Sequence, residues 1–309
     1  MDSSPLSASF SLALQAAQAA AGAQDQPART LYVVATPIGN LADISLRALQ
    51  VLATVDCIAC EDTRHTQQML RAYGLERPAA QLLAAHQHNE AEAADRVLAL
   101  LMAGQRVALV SDAGTPAVSD PGSRLVAAVR AAGLRVLPLP GASSVTTVLS
   151  ASGAMDPASG SGFVFAGFLP SRSAERAQAV QALAQEARAV VLLEAPHRMG
   201  ALAESLAVLG ERPLTVGREL TKQYEQIETL PAQALPAWLQ ARPEHLRGEF
   251  ALVLHAQPVA STESAEGERV LRVLLPELPL KTAVRLAAEL TGEPRNALYE
   301  RALQLKSVD

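Results

Sequence analysis

The sequence predicts an α/β protein. It reads as two α/β domains, the first on a mostly parallel sheet and the second on a mixed one, followed by a small helical C-terminal domain. Three observations carry that reading. The 309 residues suggest two domains of ~150 residues with a remainder. From residue 30 to 150, short apolar β-rich runs alternate with helical patterns, the signature of a parallel sheet. Near Arg218 to Thr229, consecutive strands lack a helix between them, which requires an antiparallel portion.

Residues 1–29 are rich in Ala, Gln and Ser. Leu12 to Ala23 is mildly apolar, but Asp2 stands where a signal peptide would be basic, so a flexible extension with at most a fleeting helix is expected instead. Thr30 to Thr36 is nearly all apolar, as a strand buried on both faces is. Pro37-Ile-Gly39-Asn40 breaks it. A helix is expected from Ile44 to Ala53, with Asp43 as its N-cap. Strands at Val55–Cys60, Val107–Ser111 and Val136–Leu139 alternate with helices at Thr63–Tyr73, at Glu90–Met102 and from Pro121 or Gly122 to Gly133. This is the N-terminal domain, residues 30–150.

Ser152 to Gly162 is rich in Gly, Ser and Pro and reads as the inter-domain linker. The second domain, 160–257, has expected strands at Phe163–Phe168, Ala189–Glu194, Leu214–Arg218, Glu225–Thr229 and Glu249–His255. Helices fit at Ser173–Arg188, Met199–Leu209 and Pro231–Ala241. Gln257 to Gly267 reads as a second linker. Residues 267–309 read as a helical, helix-turn-helix-like segment.

Composition excludes several classes. With 49% apolar and 18% charged residues the chain is not disordered, and two cysteines rule out a disulfide scaffold. No run of 18 apolar residues suggests a membrane span, and a cytoplasmic location is expected. Aromatics are only 3% and the net charge is −5, which excludes a base-stacking, globally basic binder of RNA or DNA. Cys57 and Cys60 form a C-x-x-C, but on a strand residues three apart face opposite ways, so two ordinary buried thiols are expected.

Familiar nucleotide and catalytic signatures are missing. There is no P-loop, no G-x-G-x-x-G after the first strand, no paired zinc motif and no G-x-S-x-G. His86-x-His88 with Glu90 reads as a polar loop entering a helix, and no metal is expected. What remains is a set of loops that follow apolar strands. They are Ala35–Leu41, Cys60–Thr66, Ser111–Pro116 with Ser119–Gly122, and Pro140–Ser144. The carboxyl ends of parallel strands form the ligand crevice, where Gly admits close backbone approach and Pro fixes turns. Four such loops in one domain point to a ligand site.

These loops carry a resemblance. Ala35-Thr-Pro-Ile-Gly-Asn-Leu-Ala-Asp43, Glu61-Asp-Thr-Arg-His-Thr66, Val110-Ser-Asp-Ala-Gly-Thr-Pro116 and Asp120-Pro-Gly122 come first. Leu139-Pro-Gly-Ala142, Gly167-Phe-Leu-Pro170, Gly217-Arg-Glu-Leu-Thr-Lys222 and Gly248-Glu-Phe250 follow. In this order and spacing, from about Leu31 to Leu305, the chain closely resembles the tetrapyrrole methylase superfamily, the class III S-adenosylmethionine methyltransferases. Within it the resemblance is to a ribosomal RNA small-subunit methyltransferase family. It implies two α/β domains of the tetrapyrrole-methylase type with S-adenosylmethionine between them. It implies methyl transfer to the ribose 2′-oxygen of a decoding-centre cytidine in 16S ribosomal RNA, on the assembled 30S subunit, by a homodimer. The matching cofactor positions are Pro37, Asp112, Gly114, Thr115, Ser143 and Ser144. One departure is Glu194-Ala-Pro-His-Arg198, where such proteins carry Glu-Ser-Thr/Pro-His-Arg.

A ribose hydroxyl is a poor acid, so a base or an electrostatic helper is expected. Glu61, Asp62, His86, Glu219 and Lys222 are the candidates. A buried lysine can shift down enough to act as a base, or stabilise a developing oxyanion. We place Lys222, Asp62 and Glu61 in the catalytic set, with Lys222 and Arg64 against RNA phosphate or ribose. From residue 269 onward seven basic residues face five acidic ones. Lys281, Arg285 and Arg295 there are the candidate RNA contacts; a helical cap or a dimer interface is the other reading of this segment. Two other functions fit the same fold: methylation of a precorrin or diphthamide precursor, and a non-catalytic S-adenosylmethionine-binding regulatory module. The Thr-Pro-Ile-Gly-Asn and Glu-Asp-Thr-Arg-His motifs and the basic tail favour RNA.

Overall fold

The computed structural model describes residues 5–155, 162–257 and 262–306. In the first domain β1 (Thr30–Val34), β2 (Cys57–Cys60), β3 (Leu82–Ala84), β4 (Val107–Val110) and β5 (Arg135–Leu139) form one sheet, ordered β3-β2-β4-β1-β5. Every pairing in it is parallel. The two-residue period of the strands divides the core. Tyr32, Val34, Ile58, Cys60, Ala108 and Val110 face α2 (Leu46–Thr54) and α3 (Thr63–Ala72). Leu31, Cys57, Ala59, Val107 and Leu109 face α4 (Glu90–Met102) and α5 (Ser123–Ala131).

Three local expectations are corrected here. The extension over 1–29 carries a helix, α1 (Pro5–Ala21), laid on α2 and α3. Its Ala17 and Ala21 are buried, and its Phe10 ring meets Tyr73 edge-on at 5.0 Å. The Ala-rich stretch has the intrinsic propensity to be helical, and its small side chains let it lie close. The N-cap of α2 is Ser45, whose hydroxyl accepts Ala48 N–H at 3.1 Å. Asp43 sits instead in a 3₁₀ turn, Leu41–Asp43, capped by Asn40. A Ser-to-Ala change at such a cap costs ~1 kcal/mol. Strand β3 went unread because three residues carry no period.

Cys57 and Cys60 do face opposite layers, both as free buried thiols. Burial pushes the Cys57 thiol up, and pushes Cys60 to about 11. Neither is therefore expected to react with iodoacetamide at pH 8 in the native protein, while both react in urea. Mass spectrometry of labelled peptides checks this; fast native labelling of either would contradict it.

The second sheet runs β6 (Phe163–Gly167), β7 (Ala189–Glu194), β10 (Phe250–Leu254), β8 (Pro213–Arg218), β9 (Gln226–Pro231). Strand β6 is parallel to β7, and the other three pairings are antiparallel. One face packs on α7 (Ser173–Ala184), α8 (Pro196–Leu206) and α9 (Leu235–Ala241). On the other, Val191, Leu193, Ala251 and Val253 meet Val145 and Val148 of α6 (Ser144–Ser152) and Ile38 of the first domain. So α6, which begins before residue 150, packs on the second sheet: its apolar face is covered there. Of the expected linker 152–162, residues 156–161 lie outside the described residues.

Helices α10 (Thr262–Leu274), α11 (Leu280–Thr291) and α12 (Arg295–Lys306) close on a small core of Leu271, Val284, Ala287, Leu298 and Ala302. Helix α10 starts inside the expected second linker, of which 258–261 lie outside the described residues. Gly292 ends α11 in the left-handed region, the usual helix stop. Among the described residues no helix is long and apolar enough to cross a membrane.

Candidate active site

The site is built by loops from both domains. In the first sheet the chain leaves β2 for β3 on one side and β4 for β5 on the other, so it parts above the β2–β4 pair. Open parallel sheets bind ligands at such a point. Thr36, just past β1, exchanges backbone hydrogen bonds with Gly114, just past β4, at 2.9 and 3.0 Å. The Thr36 hydroxyl donates to Ser111 O at 3.1 Å. Gly114 holds φ +87° with the Ile38 methyl 3.3 Å from where a Cβ would lie. A side chain there is strained and crowded, so glycine sets the shape of both loops. The Thr115 hydroxyl donates to Ala142 O at 3.0 Å, tying the β4 loop to the one entering α6.

Carboxylates gather over this crevice. Asp62 caps α3, accepting Arg64 N–H at 2.7 Å, and this holds its carboxyl below the usual range. Its own N–H donates to Asp112 Oδ1 at 3.2 Å. Burial, then Asp112, Asp120 and Asp62, push Glu61 up. Burial also pushes Asp120 up, against the Ser111 hydroxyl.

The second domain contributes the turn after β8. Glu219 and Thr221 hold φ +51° and +65°, sparsely populated for residues with a side chain and most costly for a β-branched one. The turn is braced. Glu219 Oε1 accepts Lys222 Nζ at 2.9 Å and Glu249 N–H at 3.0 Å. Lys222 Nζ also donates to Glu249 Oε2 at 3.1 Å. The strained turn presses on the first domain: Asn40 N–H donates to Thr221 Oγ1 at 3.2 Å, and Lys222 packs against Gly39.

Between these loops lie two cavities. One, about 350 Å³, is walled by Ile38, Leu193, Leu220, Phe250 and Ala251, with Ser144, Asp120 and Glu194 as polar points. The other, about 450 Å³, is lined by Pro37, Gly39, His65, Asp112 and Lys222. Ile38, Ala113 and Glu249 line both.

The structure sorts the candidate residues. Pro37, Asp112 and Lys222 come together in the second cavity, and Ser144 enters the first. Gly114 and Thr115 shape the loops from behind. Ser143 is the N-cap of α6, with its side chain not spent on the helix. Glu61 and Asp62 line neither cavity. Arg64 is exposed at the start of α3. His86 follows edge strand β3 and lines neither cavity, and Glu90 caps α5 through Gly122 and Arg124 N–H groups. Lys281, Arg285 and Arg295 sit on the helical tail, where Arg285 and Arg295 both reach Glu289, at 3.0 and 3.8 Å.

Of the two roles open to Lys222, one is favoured by its surroundings. Burial opposes the charge on Lys222, but its hydrogen bonds to Glu219 and Glu249 outweigh burial and raise the ammonium above its ordinary value. This favours the cation over the base among the two roles open to Lys222. Sequence reasoning also passed over Glu249, Glu194 and His65. Glu249 stood in the quoted Gly248-Glu-Phe250, and only the β8–β10 register places it beside Glu219.

Comparison with known proteins adds the family. Residues 30–236 match the tetrapyrrole (corrin/porphyrin) methylases, and residues 261–306 match the RsmI C-terminal HTH domain. A Pseudomonas aeruginosa protein, ribosomal RNA small subunit methyltransferase I, is 47% identical over 285 residues, covering 90% of this chain and 98% of that one. The chain belongs to the ribosomal RNA small subunit methyltransferase I family. The tetrapyrrole-methylase fold of this family is shared with diphthine synthase, at TM-score 0.57 and 16% identity over 74% of this chain and 90% of that one. The Thermus thermophilus uroporphyrin-III C-methyltransferase, complexed with S-adenosylhomocysteine, gives TM-score 0.50 at 17% identity over 72% and 96%. The family is dependent on S-adenosylmethionine as methyl donor.

Proposed function

We propose that the protein methylates the ribose 2′-oxygen of a decoding-centre cytidine in 16S ribosomal RNA, on the assembled 30S subunit, as a cytoplasmic homodimer. The observation that carries the reading is the pair of adjacent cavities that share Ile38, Ala113 and Glu249 as lining, one for a donor and one for an acceptor.

The first cavity fits the donor. Its volume of about 350 Å³ lies in the range for a small-molecule pocket. Apolar walls suit an adenosine, and Asp120 suits positive charge, while Glu194 is already paired with Arg198 at 3.1 Å. Ser143 and Ser144 at the start of α6 offer free N–H groups to a carboxylate. S-adenosylmethionine supplies an already electrophilic methyl carbon. The chain's task is then alignment, worth up to ~7–11 kcal/mol. Pro37, Gly114 and Thr115 hold the loops in shape for that, and Asp112 braces them through Asp62.

The second cavity receives the ribose. Lys222 stands there as a cation that stabilises charge developing on the acceptor oxygen. Asp62 fixes the start of α3, which carries Arg64 toward RNA phosphate and His65 into the cavity. Lys281, Arg285 and Arg295 extend the contact along the tail. A chain of net charge −5 suits a substrate read by its shape and a few phosphates.

Tritiated-methyl transfer tests the reading. Label is expected on 30S particles lacking the mark, and not on a precorrin or on a diphthamide-precursor protein. Label on either of those, or on neither class, would overturn it.

A further inference from the structure

We propose that Glu249 is the catalytic carboxylate that takes the proton from the acceptor hydroxyl; this rests on the methyl-transfer reading above. A donor in one cavity and an acceptor in the other can react only where the two join. Among the described residues, Asp112 lines one cavity, Asp120 and Glu194 line the other, and Glu249 is the carboxylate that lines both.

The neighbours divide the labour. Glu219 and Glu249 stand side by side where the β8–β10 ladder ends: Arg218 pairs with Phe250, and Glu219 N–H donates to Glu249 O at 3.0 Å. Glu219 is the brace. Its side chain is 20% exposed, and one oxygen accepts both Lys222 and Glu249 N–H. Glu249 is the working group. Its side chain is 71% exposed, and Lys222 holds its Oε2 at 3.1 Å while no described protein donor reaches Oε1. One oxygen is fixed by Lys222, and the other is left free of described protein donors on a residue that lines both cavities.

The step balances. As the ribose oxygen bonds to the methyl carbon, the carbon–sulfur bond breaks and its electron pair stays on sulfur, leaving S-adenosylhomocysteine. The hydroxyl proton passes to Glu249, which releases it to solvent. Positioned proton transfer of this kind contributes about 10²–10⁴-fold.

Glu249→Gln keeps the shape and an acceptor for Lys222 but cannot take the proton. Assayed on saturating 30S particles and S-adenosylmethionine from pH 6 to 9, its kcat is expected to fall ~10²–10⁴-fold. S-adenosylmethionine affinity by calorimetry, 30S affinity and the melting temperature should stay within about threefold or a degree of wild type. Other charges around the two cavities are Lys222, Glu219, His65, Asp112, Asp120 and Glu194 with its partner Arg198, with Arg218 and Glu225 about the turn. These remain in the variant, so the loss of rate belongs to Glu249. Glu249→Asp should recover part of the rate. Wild-type kcat in Glu249→Gln would overturn the assignment. So would a rate loss matched by lost donor binding or lost melting temperature. Wild-type protein that leaves 30S unlabelled would instead remove the methyl-transfer reading itself, before any variant is compared.

Discussion

Gly39→Val should lower kcat/KM on 30S particles by ~10²-fold or more, the cost of a misplacement of about 1 Å. A Cβ on Gly39 would lie 2.4 Å from Lys222 Cγ, 2.9 Å from Thr221 Oγ1 and 3.0 Å from Leu220 O. Neither side gives easily. The Leu220 contact is backbone, and the Lys222 contact is near the root of a side chain whose end is pinned by two carboxylates. The turn itself already holds two strained residues. The relief left is to part the loops. That breaks the Asn40–Thr221 hydrogen bond and widens the join between the cavities. Overpacking costs ~1–3 kcal/mol, so the melting temperature should fall by only a few degrees while activity collapses. Gly200→Ala is the control: in α8, with nothing within 4 Å of its Cβ position, it should leave both unchanged. Near-wild-type kcat/KM in Gly39→Val would show that the inter-domain contact does not position the reaction.

Lys222→Met should cost kcat ~10²–10³-fold, as loss of one preorganised oxyanion donor does. It should also change how stability depends on pH, and the sign follows from the two partners. The Lys222 ammonium is raised in the fold against burial by Glu219 and Glu249. Its contribution is complete below the ordinary lysine range and is lost as pH rises through the raised value. Burial works to raise the Glu219 carboxyl, but Lys222 and the Glu249 N–H outweigh it and hold it low. Its contribution is complete above the ordinary carboxylate range and is lost as pH falls through the lowered value. The wild-type advantage over Lys222→Met is therefore largest at neutral pH and shrinks in acid. About 1–3 kcal/mol is expected at pH 7, short of a wholly buried pair because Glu249 is largely in solvent. Thermal melts from pH 3 to 9 measure it. A pH-independent gap, or wild-type methylation by the variant, would remove Lys222 from this account.

Much of this fold was legible because its strands are short, apolar and separated by strong turn residues. Helix Glu90–Met102 and strand Ala189–Glu194 have the bounds their patterns suggest. What failed did so for physical reasons. The Ala-rich start of the chain has almost no apolar period, so its burial on α2 depends on the tertiary partner. Helix α6 follows the first sheet in sequence but is claimed by the second, a choice made by the apolar face of β7 and β10. The loops that carry Pro37, Asp112 and Ser144 were visible as Gly- and Pro-rich strand ends. The base was not. Local sequence ranks Glu61, Asp62 and Glu219 above Glu249, because only the register of two antiparallel strands and the join of two cavities single Glu249 out.

The central claim is that one inter-domain site delivers a methyl group to a ribose oxygen of 16S RNA. Its most direct measurement is mass spectrometry of nuclease digests from 30S particles treated with the enzyme and S-adenosylmethionine. One added methyl is expected, on the 2′-oxygen of a single decoding-centre cytidine, formed ~10²–10⁴-fold more slowly when Glu249→Gln replaces wild type. A methyl on a base atom, or spread over many nucleotides, would contradict it.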